Sequence, residues 1–172
     1  MSVFTRFKNR LISIASSYSA ALSKQLISSY APRECIDIPW TQLTKPLSAL
    51  NIALVTTTGI HHRYQKPFDM HDPSGDPSFR KIDPKTIEKD FKITHDYYDH
   101  RDADKDLNIV FPVTRLKEMA AAGIIGSVAK RHYSFMGHIT GSHIEELIEK
   151  SALETAASFL HNHVDAVLLT PG

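Results

Sequence analysis

Apolar positions follow two different spacings along this chain. Over residues 3–30 they recur every three or four positions, which predicts one long helix or two. At residues 51–59 a short apolar run breaks into three threonines and a glycine. Such a run is typical of a buried parallel strand that delivers a loop at its carboxyl end, and a similar run at residues 164–169 predicts another strand.

Two helices are predicted between these strands. Residues 113–122 have helical spacing, with Thr114 as the N-cap and Gly123 as the residue just past the end. The second helix begins at Ser142, which stands three residues before Glu145 in the spacing of a capping box. Both helices therefore lie between the first and last apolar runs.

Strands alternating with helices predict the fold class. Apolar positions alternate at residues 91–95, which indicates a further strand, while residues 65–90 are rich in Pro, Asp and Ser and predict a long functional or flexible loop. The pattern favours a three-layer α/β domain, flavodoxin-like or Rossmann-like, with a parallel sheet and right-handed crossovers. The predicted organisation is a helical N-terminal arm at residues 1–35 and an α/β domain at residues 36–172.

Composition and charge narrow the classes of function. The chain has 172 residues, 42% hydrophobic and 23% charged, which suits one globular domain. Its net charge of +1 gives no overall attraction to nucleic acid or anionic lipid. The single cysteine, Cys35, cannot form an internal disulfide and fits a reducing compartment, so a cytoplasmic location is expected. No apolar run approaches the length of a membrane span.

The N-terminal arm is basic and rich in serine. Arg6, Lys8 and Arg10 precede an apolar stretch that several serines interrupt, so a secretory leader fits poorly. Three interpretations of the arm stay open: a helix on the domain surface, a targeting sequence, or an element that docks a partner.

The densest group of candidate metal ligands is the segment from His95 to Asp106. A zinc- or iron-dependent enzyme could use its imidazoles and carboxylates, and the ligands would then be His95, Asp99, His100 and Asp102. A calcium loop fails, because Leu107 stands where such a loop needs glycine. A solvated or substrate-facing polar loop is the main interpretation.

The turn after the first predicted strand is a candidate anion site. The hydroxyls and backbone N–H groups of residues 56–59 could hold a carboxylate, but one glycine matches neither a dinucleotide-binding motif nor a P-loop. The alternative is a threonine-rich turn with His61 and His62 as an exposed pair. His132 stands near Ser134, yet proximity in sequence is not the geometry of a catalytic triad.

Several segments, in chain order, resemble the selenoprotein B family of glycine, sarcosine, betaine and D-proline reductases. They are Ile38-Pro39-Trp40 through Lys45-Pro46-Leu47, Ala53 to Gly59, Pro67-Phe68-Asp69, Ile93 to Asp104, Asn108 to Pro112, Gly123 to Gly126, His132 to Gly137, and Val164 to Gly172. The resemblance covers about residues 36–172 and implies an oxidoreductase subunit.

In that family the last of these strands runs into a selenocysteine, or a cysteine in some members. The resemblance implies that this residue attacks the α-carbon of an amino acid, that the C–N bond is cleaved reductively, and that a dithiol or thioredoxin-like system restores the selenol. The redox residue is therefore expected directly after Gly172. The chain as given is expected to be inactive, truncated before that residue, with no cofactor of its own and with Cys35 as no credible replacement.

The resemblance places the site at the carboxyl ends of the first and last strands. The residues expected to line it are Thr56, Thr57, Thr58, Gly59, His61, His95, Asp99, His100, His132, Thr170, Pro171 and Gly172. The expected partners are other reductase subunits and a thioredoxin-like reductant, without nucleic acid or membrane, and a homo-oligomer is left open. A non-catalytic binding domain that docks a partner through its N-terminal helix is the remaining alternative.

Overall fold

The structure is a computed structural model that describes residues 3–28, 41–85 and 90–172. The N-terminal arm contains helices α1, Val3–Tyr18, and α2, Ala20–Ser28, so the predicted helical stretch is present and is divided into two helices. Cys35, the Ile38-Pro39-Trp40 part of the family resemblance and the predicted boundary between arm and domain lie outside the described residues.

The main sheet is built around one central strand. Strand β1, Asn51–Thr56, pairs in parallel along its length with β7, Ala166–Thr170. On its other side β1 pairs in parallel with β5, Ser127–Val128, and then with β6, His132–Ser134. Strand β3, Arg80–Ile82, pairs antiparallel with β6. The sheet is therefore mixed, with mostly parallel pairs, and its antiparallel strand comes from the segment predicted as a loop.

A second, two-stranded sheet follows the carboxyl end of β1. Strand β2, Ile60–His62, pairs antiparallel with β4, Phe91–Ile93. The alternation of apolar residues had predicted β4. This small sheet places the beginning of the 95–106 segment next to the turn that follows β1, because the Thr94 N–H donates to the Gly59 carbonyl at 2.9 Å.

Helix α3, Val113–Ala121, ends as the sequence predicts but begins differently. Gly123 has φ +71°, and the Ile124 N–H reaches the Met119 carbonyl at 2.9 Å, which is the closure of a Schellman motif. The predicted N-cap is wrong. Thr114 lies inside the first turn, where its backbone N–H donates to the side-chain oxygen of Asn108 at 3.2 Å.

The last helical segment runs through residues 143–161. It begins as α4, His143–Glu146, widens into a π-helical turn at Leu147–Ser151 and continues as α5, Ala152–His161. Ser142 does not form the predicted capping box. Its backbone is helical, with φ −65° and ψ −20°, whereas a side chain caps a helix from an extended backbone.

Two hydrophobic cores lie on opposite faces of the main sheet. Ile52 and Leu54 of β1 belong to the core that contains Leu116 of α3. Ala53 of β1 belongs to the core that contains Phe159 of α5. Because neighbouring residues of a strand point to opposite faces, β1 is buried on both sides, and the predicted α/β three-layer fold is confirmed.

Strand β7 lies at the edge of the main sheet. Among the strands of the described residues, its partner is β1. Its apolar side chains are partly exposed, and 71% of the Leu169 surface is accessible to solvent. An unpaired strand edge with apolar side chains is a template for further association. None of the helices in residues 3–28, 41–85 and 90–172 has the length and hydrophobicity that crossing a bilayer requires.

Candidate functional site

The carboxyl ends of β1 and β7 meet at one edge of the main sheet. Thr56 and Thr170 are opposite each other in the parallel register. One residue further, the Thr57 N–H donates to the Thr170 carbonyl at 3.0 Å. The structure therefore brings together the two strand ends that the sequence had assigned to the site.

Gly172 lies against the turn that follows β1. A methyl group on its Cα would have as nearest heavy atoms two carbons of Thr58, each at 3.0 Å, and a ring carbon of Tyr98 at 3.1 Å. The Tyr98 hydroxyl in turn donates to the Thr58 carbonyl at 3.2 Å. Burial raises the pKa of Tyr98 above its usual range, so this hydroxyl keeps its proton and stays a donor.

Three threonine hydroxyls and one carbonyl form a chain of hydrogen bonds at this edge. The Val110 carbonyl accepts from Thr170 Oγ1 at 2.6 Å and from Thr56 Oγ1 at 3.1 Å. Because the Thr56 proton is used there, the 2.8 Å contact between Thr56 Oγ1 and Thr58 Oγ1 requires Thr58 to donate. The chain ties both strand ends to the turn after the 3₁₀ helix Leu107–Ile109.

His95 is buried beside the same turn. Its Nδ1 lies 3.2 Å from the Tyr97 backbone nitrogen, and its Nε2 lies 3.3 Å from that of Gly137. A neutral imidazole has one acceptor nitrogen, so only one of these N–H groups donates to it at a time. Burial lowers the pKa of His95 to about 4, with smaller contributions from His138 and His100, and the ring is therefore neutral at neutral pH.

Two glycines allow the backbones around His95 to approach closely. Gly59 has φ +73°, and a Cβ on it would lie 2.5 Å from the Thr94 carbonyl oxygen. A Cβ on Gly137 would lie 3.0 Å from the Thr57 carbonyl oxygen and 3.4 Å from His95 Nε2. Side chains at either position would push the loops that surround this edge apart.

This geometry can be compared with known proteins. Residues 24–172 match the family described as glycine/sarcosine/betaine reductase selenoprotein B (GRDB). The chain belongs to this family. The D-proline reductase subunit gamma of Acetoanaerobium sticklandii is 36% identical over 133 residues, which are 77% of this chain and 53% of that protein. The glycine reductase complex component B subunit gamma of Carboxydothermus hydrogenoformans is 33% identical over 137 residues, or 77% of this chain and 30% of that protein.

The chain thus spans about half, or less, of the length of these curated selenoprotein B relatives. No solved structure matches it. The strand ends, the 95–106 segment and the 132–137 segment all lie inside the region that matches the family.

Asp99 and His100 of the 95–106 segment pair with other side chains. Asp99 accepts from Arg101 at 2.6 Å and from Ser17 of α1 at 2.8 Å, and these donors, with Arg101 first, hold the pKa of its carboxyl well below the usual range. His100 Nδ1 lies 2.7 Å from the Asp104 carboxylate. The residues that the metal alternative requires do not converge, and no group of three or more potential ligands able to hold a metal ion occurs in the part of the chain that the structure describes.

His132 lies in the middle of the sheet rather than at its carboxyl edge. Its Nδ1 accepts the Leu54 N–H at 2.9 Å, where β1 has no backbone partner between β5 and β6. The proton is then on Nε2, which is buried and has no hydrogen-bond partner among the described residues. Burial lowers the pKa of His132 to about 4. This side chain therefore completes the sheet.

His61 and His62 are buried, so the predicted exposed pair is wrong. His61 Nδ1 faces the His62 carbonyl at 2.8 Å and must donate to it, which leaves Nε2 to accept the Thr94 hydroxyl at 2.8 Å. The His62 ring stacks between Tyr64 and Phe91. The turn geometry at Gly59 directs both histidines into the small sheet, and burial lowers the pKa of each.

Two groups at this edge of the sheet, the Val110 carbonyl and Tyr98, were not among the predicted site residues. The Val110 carbonyl is a backbone atom, and no side-chain pattern indicates it. Tyr98 belongs to the dense 95–106 segment, whose imidazoles and carboxylates are the more conspicuous side chains. An aromatic residue inside a polar segment was the signal that could have indicated a buried contact.

Proposed function

We propose that this chain forms one side of the active site of a selenoprotein B type reductase, which cleaves an amino-acid C–N bond with a dithiol/disulfide couple. Family membership supports the reaction class. The location of the active site is supported by the contact of Gly172 with Thr58 and Tyr98. This contact lies at the carboxyl edge of the sheet, where the sites of parallel α/β sheets lie. The relatives are named as subunits of D-proline and glycine reductases, so amino acids of this kind are the proposed substrates.

The proposed redox residue is a selenocysteine or cysteine that follows Gly172 in the full-length protein. The side chains nearest Gly172 are Thr58 and Tyr98, which carry no charge, so an anionic selenium or sulfur atom on the following residue meets no charge repulsion from them. Such a group supplies the nucleophile for displacement of the amine. Across the reaction a C–H bond replaces the C–N bond, the amine leaves protonated, and a dithiol gives two electrons and becomes a disulfide.

The chain's own residues position this group and exclude water from it. The hydrogen bonds from Thr56 and Thr170 to the Val110 carbonyl fix the ends of β1 and β7 relative to each other. Tyr98 closes the side of the Thr58 turn, and the neutral His95 ring lies 4.9 Å from the Tyr98 ring. A rigid edge holds a reacting group near its productive position, which lowers the entropic part of the barrier.

The proposed partners are other reductase subunits and a thioredoxin-like reductant. Both relatives carry subunit names, which supports assembly with further chains. A dithiol reductant of this kind works in a reducing compartment, so the cytoplasm is the proposed location. The open edge of β7 is compatible with a homo-oligomer or with pairing to a further segment.

The first test is to read the gene beyond the Gly172 codon. A TGA or cysteine codon followed in frame by further coding sequence supports the proposal. A TAA or TAG codon with no homologous frame downstream contradicts it, because no redox residue would then follow β7.

The second test measures the reaction itself. The full-length protein, with cysteine at the redox position, is incubated with its partner subunits, dithiothreitol and D-proline, glycine, sarcosine or betaine, and substrate loss is followed. Cysteine-to-serine replacement at that position should abolish turnover. Tyr98→Phe should lower kcat about fivefold through the lost hydrogen bond to Thr58, while the exposed Tyr64→Phe control should not change it. Turnover that depends on stoichiometric zinc or iron would favour the metal alternative instead.

A further inference from the structure

Helix α1 contacts the domain through its polar side. The Arg6 guanidinium lies 2.6 Å from the Asp96 carboxylate, and the Ser17 hydroxyl donates to Asp99 at 2.8 Å. Ser13, between them on the helix, is buried. The side of an amphipathic helix that normally faces solvent is here the side that faces the protein.

The apolar side of α1 is consequently exposed. Solvent reaches 77% of the surface of Phe4, 61% of Phe7, 51% of Leu11 and 78% of Tyr18. Positions 4, 7, 11 and 18 lie on one stripe of a helix. Phe4, Phe7 and Leu11 of this stripe, together with Leu22 of α2, border an open apolar hollow of about 510 Å³. Tyr18 contacts Arg101 of the domain instead. We call Phe4, Phe7 and Leu11 the apolar ridge.

The charge around the apolar ridge has one sign. Residues 1–33 contain five of the chain's 20 lysines and arginines and none of its 19 aspartates and glutamates. Arg6 is neutralised by Asp96, and Arg10 lines the cleft between α1 and the domain. Lys8 belongs to the lining of the hollow, and Lys24 is exposed. The net charge of the whole chain conceals this separation, because the acidic residues all lie further along the sequence.

These observations favour one kind of binding partner for the apolar ridge. A second copy of the chain would bring two basic ridges together and repel. A partner helix needs a groove with two walls, yet six of the seven residues that line the hollow belong to α1 itself. A bilayer surface requires a single apolar face with aromatic residues and adjacent cations, which is what α1 presents.

We propose that the apolar ridge binds the surface of an anionic phospholipid bilayer. The ridge lies at the boundary between headgroups and acyl chains, and Lys8 and Lys24 contact the lipid phosphates. Arg6 and Ser17 keep α1 attached to the domain, so the membrane holds the whole domain at its surface. The family match begins at residue 24, so α1 lies outside the matched region and this inference does not depend on the proposed reductase function.

Co-sedimentation of the full chain with vesicles tests the proposal. In 0.1 M salt the protein should sediment with vesicles of phosphatidylglycerol and phosphatidylcholine in equal parts, and much less with phosphatidylcholine alone. Lys8→Gln with Lys24→Gln should weaken partitioning about 25-fold, at about fivefold per cation. Phe4→Ser and Phe7→Ser should each weaken it about tenfold or more through lost apolar burial.

Matched control variants lie on the opposite end of the chain. Leu160→Ser removes an apolar side chain of α5 that is 76% exposed, nearly the same as Phe4. Lys150→Gln removes an exposed cation of the π-helical turn. Neither control should change vesicle binding. Phe4→Trp should show a blue shift of tryptophan emission when phosphatidylglycerol vesicles are added.

Three results would overturn the proposal. The first is no sedimentation at saturating phosphatidylglycerol, and the second is a loss with Leu160→Ser as large as with Phe4→Ser. The third is a doubled mass by light scattering in lipid-free buffer that returns to the monomer value in the Phe4→Ser, Phe7→Ser protein, because the ridge would then be an interface between two copies.

Discussion

Replacing Thr56 by valine removes two hydrogen bonds at the carboxyl edge, whereas replacing Thr170 by valine removes one. In Thr170→Val the Val110 carbonyl still accepts from Thr56, so the expected loss of stability is about 1 kcal/mol. In Thr56→Val the same carbonyl keeps Thr170, but the buried Thr58 hydroxyl loses its acceptor. A buried donor without a partner costs about 1–3 kcal/mol, so Thr56→Val should destabilise by about 2–4 kcal/mol.

Urea unfolding of the single variants Thr56→Val, Thr170→Val and Thr58→Val, and of one double variant, measures this difference. Adding Thr58→Val to Thr56→Val removes the stranded hydroxyl, so the double variant should be less destabilised than the sum of the single changes. Equal losses for Thr56→Val and Thr170→Val, or strictly additive losses in the double variant, would refute the direction that we assign to the Thr58 proton. If the m-values of the variants are unchanged, the differences in the free energy of unfolding do not come from a changed denatured state.

Three further predictions follow from buried histidines, a glycine and the sheet edge. The pKa of His95 and of His132 is about 4 in the folded protein and near 6.5 when unfolded, so the unfolded state binds more protons between these values. Stability should therefore fall by about 3 kcal/mol per histidine from pH 6.5 to 4, and His132→Gln should flatten a plot of urea midpoint against pH. Gly59→Ala should cost about 2 kcal/mol or more in the same assay, because its φ is positive and Thr94 blocks the methyl; a smaller loss would contradict the close approach. Leu169→Lys should reduce self-association in sedimentation velocity without lowering the melting temperature, and unchanged association would show that β7 is not the contact.

The periodicity of the sequence predicts the elements whose geometry depends on their own residues. Strand β1 is a short apolar run buried on both faces, and α3 ends at Gly123 through a local backbone requirement. The antiparallel strand β3 was not predicted, because its pairing with β6 is decided by a contact with residues about 50 positions away. Likewise the pattern of α1 shows that it is amphipathic but not which side faces the domain, since that depends on Asp96 and Asp99.

The candidate site could be predicted in part. The strand ends at Thr56 and Thr170 were expected together because parallel strands present their carboxyl ends at the same edge of a sheet. The role of His132 in completing the sheet could not be predicted, because its Nδ1 replaces a backbone acceptor in a gap that the sequence does not reveal. A side chain that substitutes for backbone hydrogen bonding has the same sequence pattern as one that lines a site.

The side chains around Gly172 are uncharged, so they supply neither a positive nor a negative charge to this edge of the sheet. Tyr98 keeps its proton, His95 is an uncharged imidazole at neutral pH, and the hydroxyl of Thr58 is fully buried. The carboxylates of Asp96 and Asp99, one and four residues after His95, are paired with Arg6 and Arg101 on the outer side of the segment. In the proposed active site, groups of this kind position the reacting atom and exclude water from it, and the electrostatic interactions of its charge with a substrate are then stronger than in water.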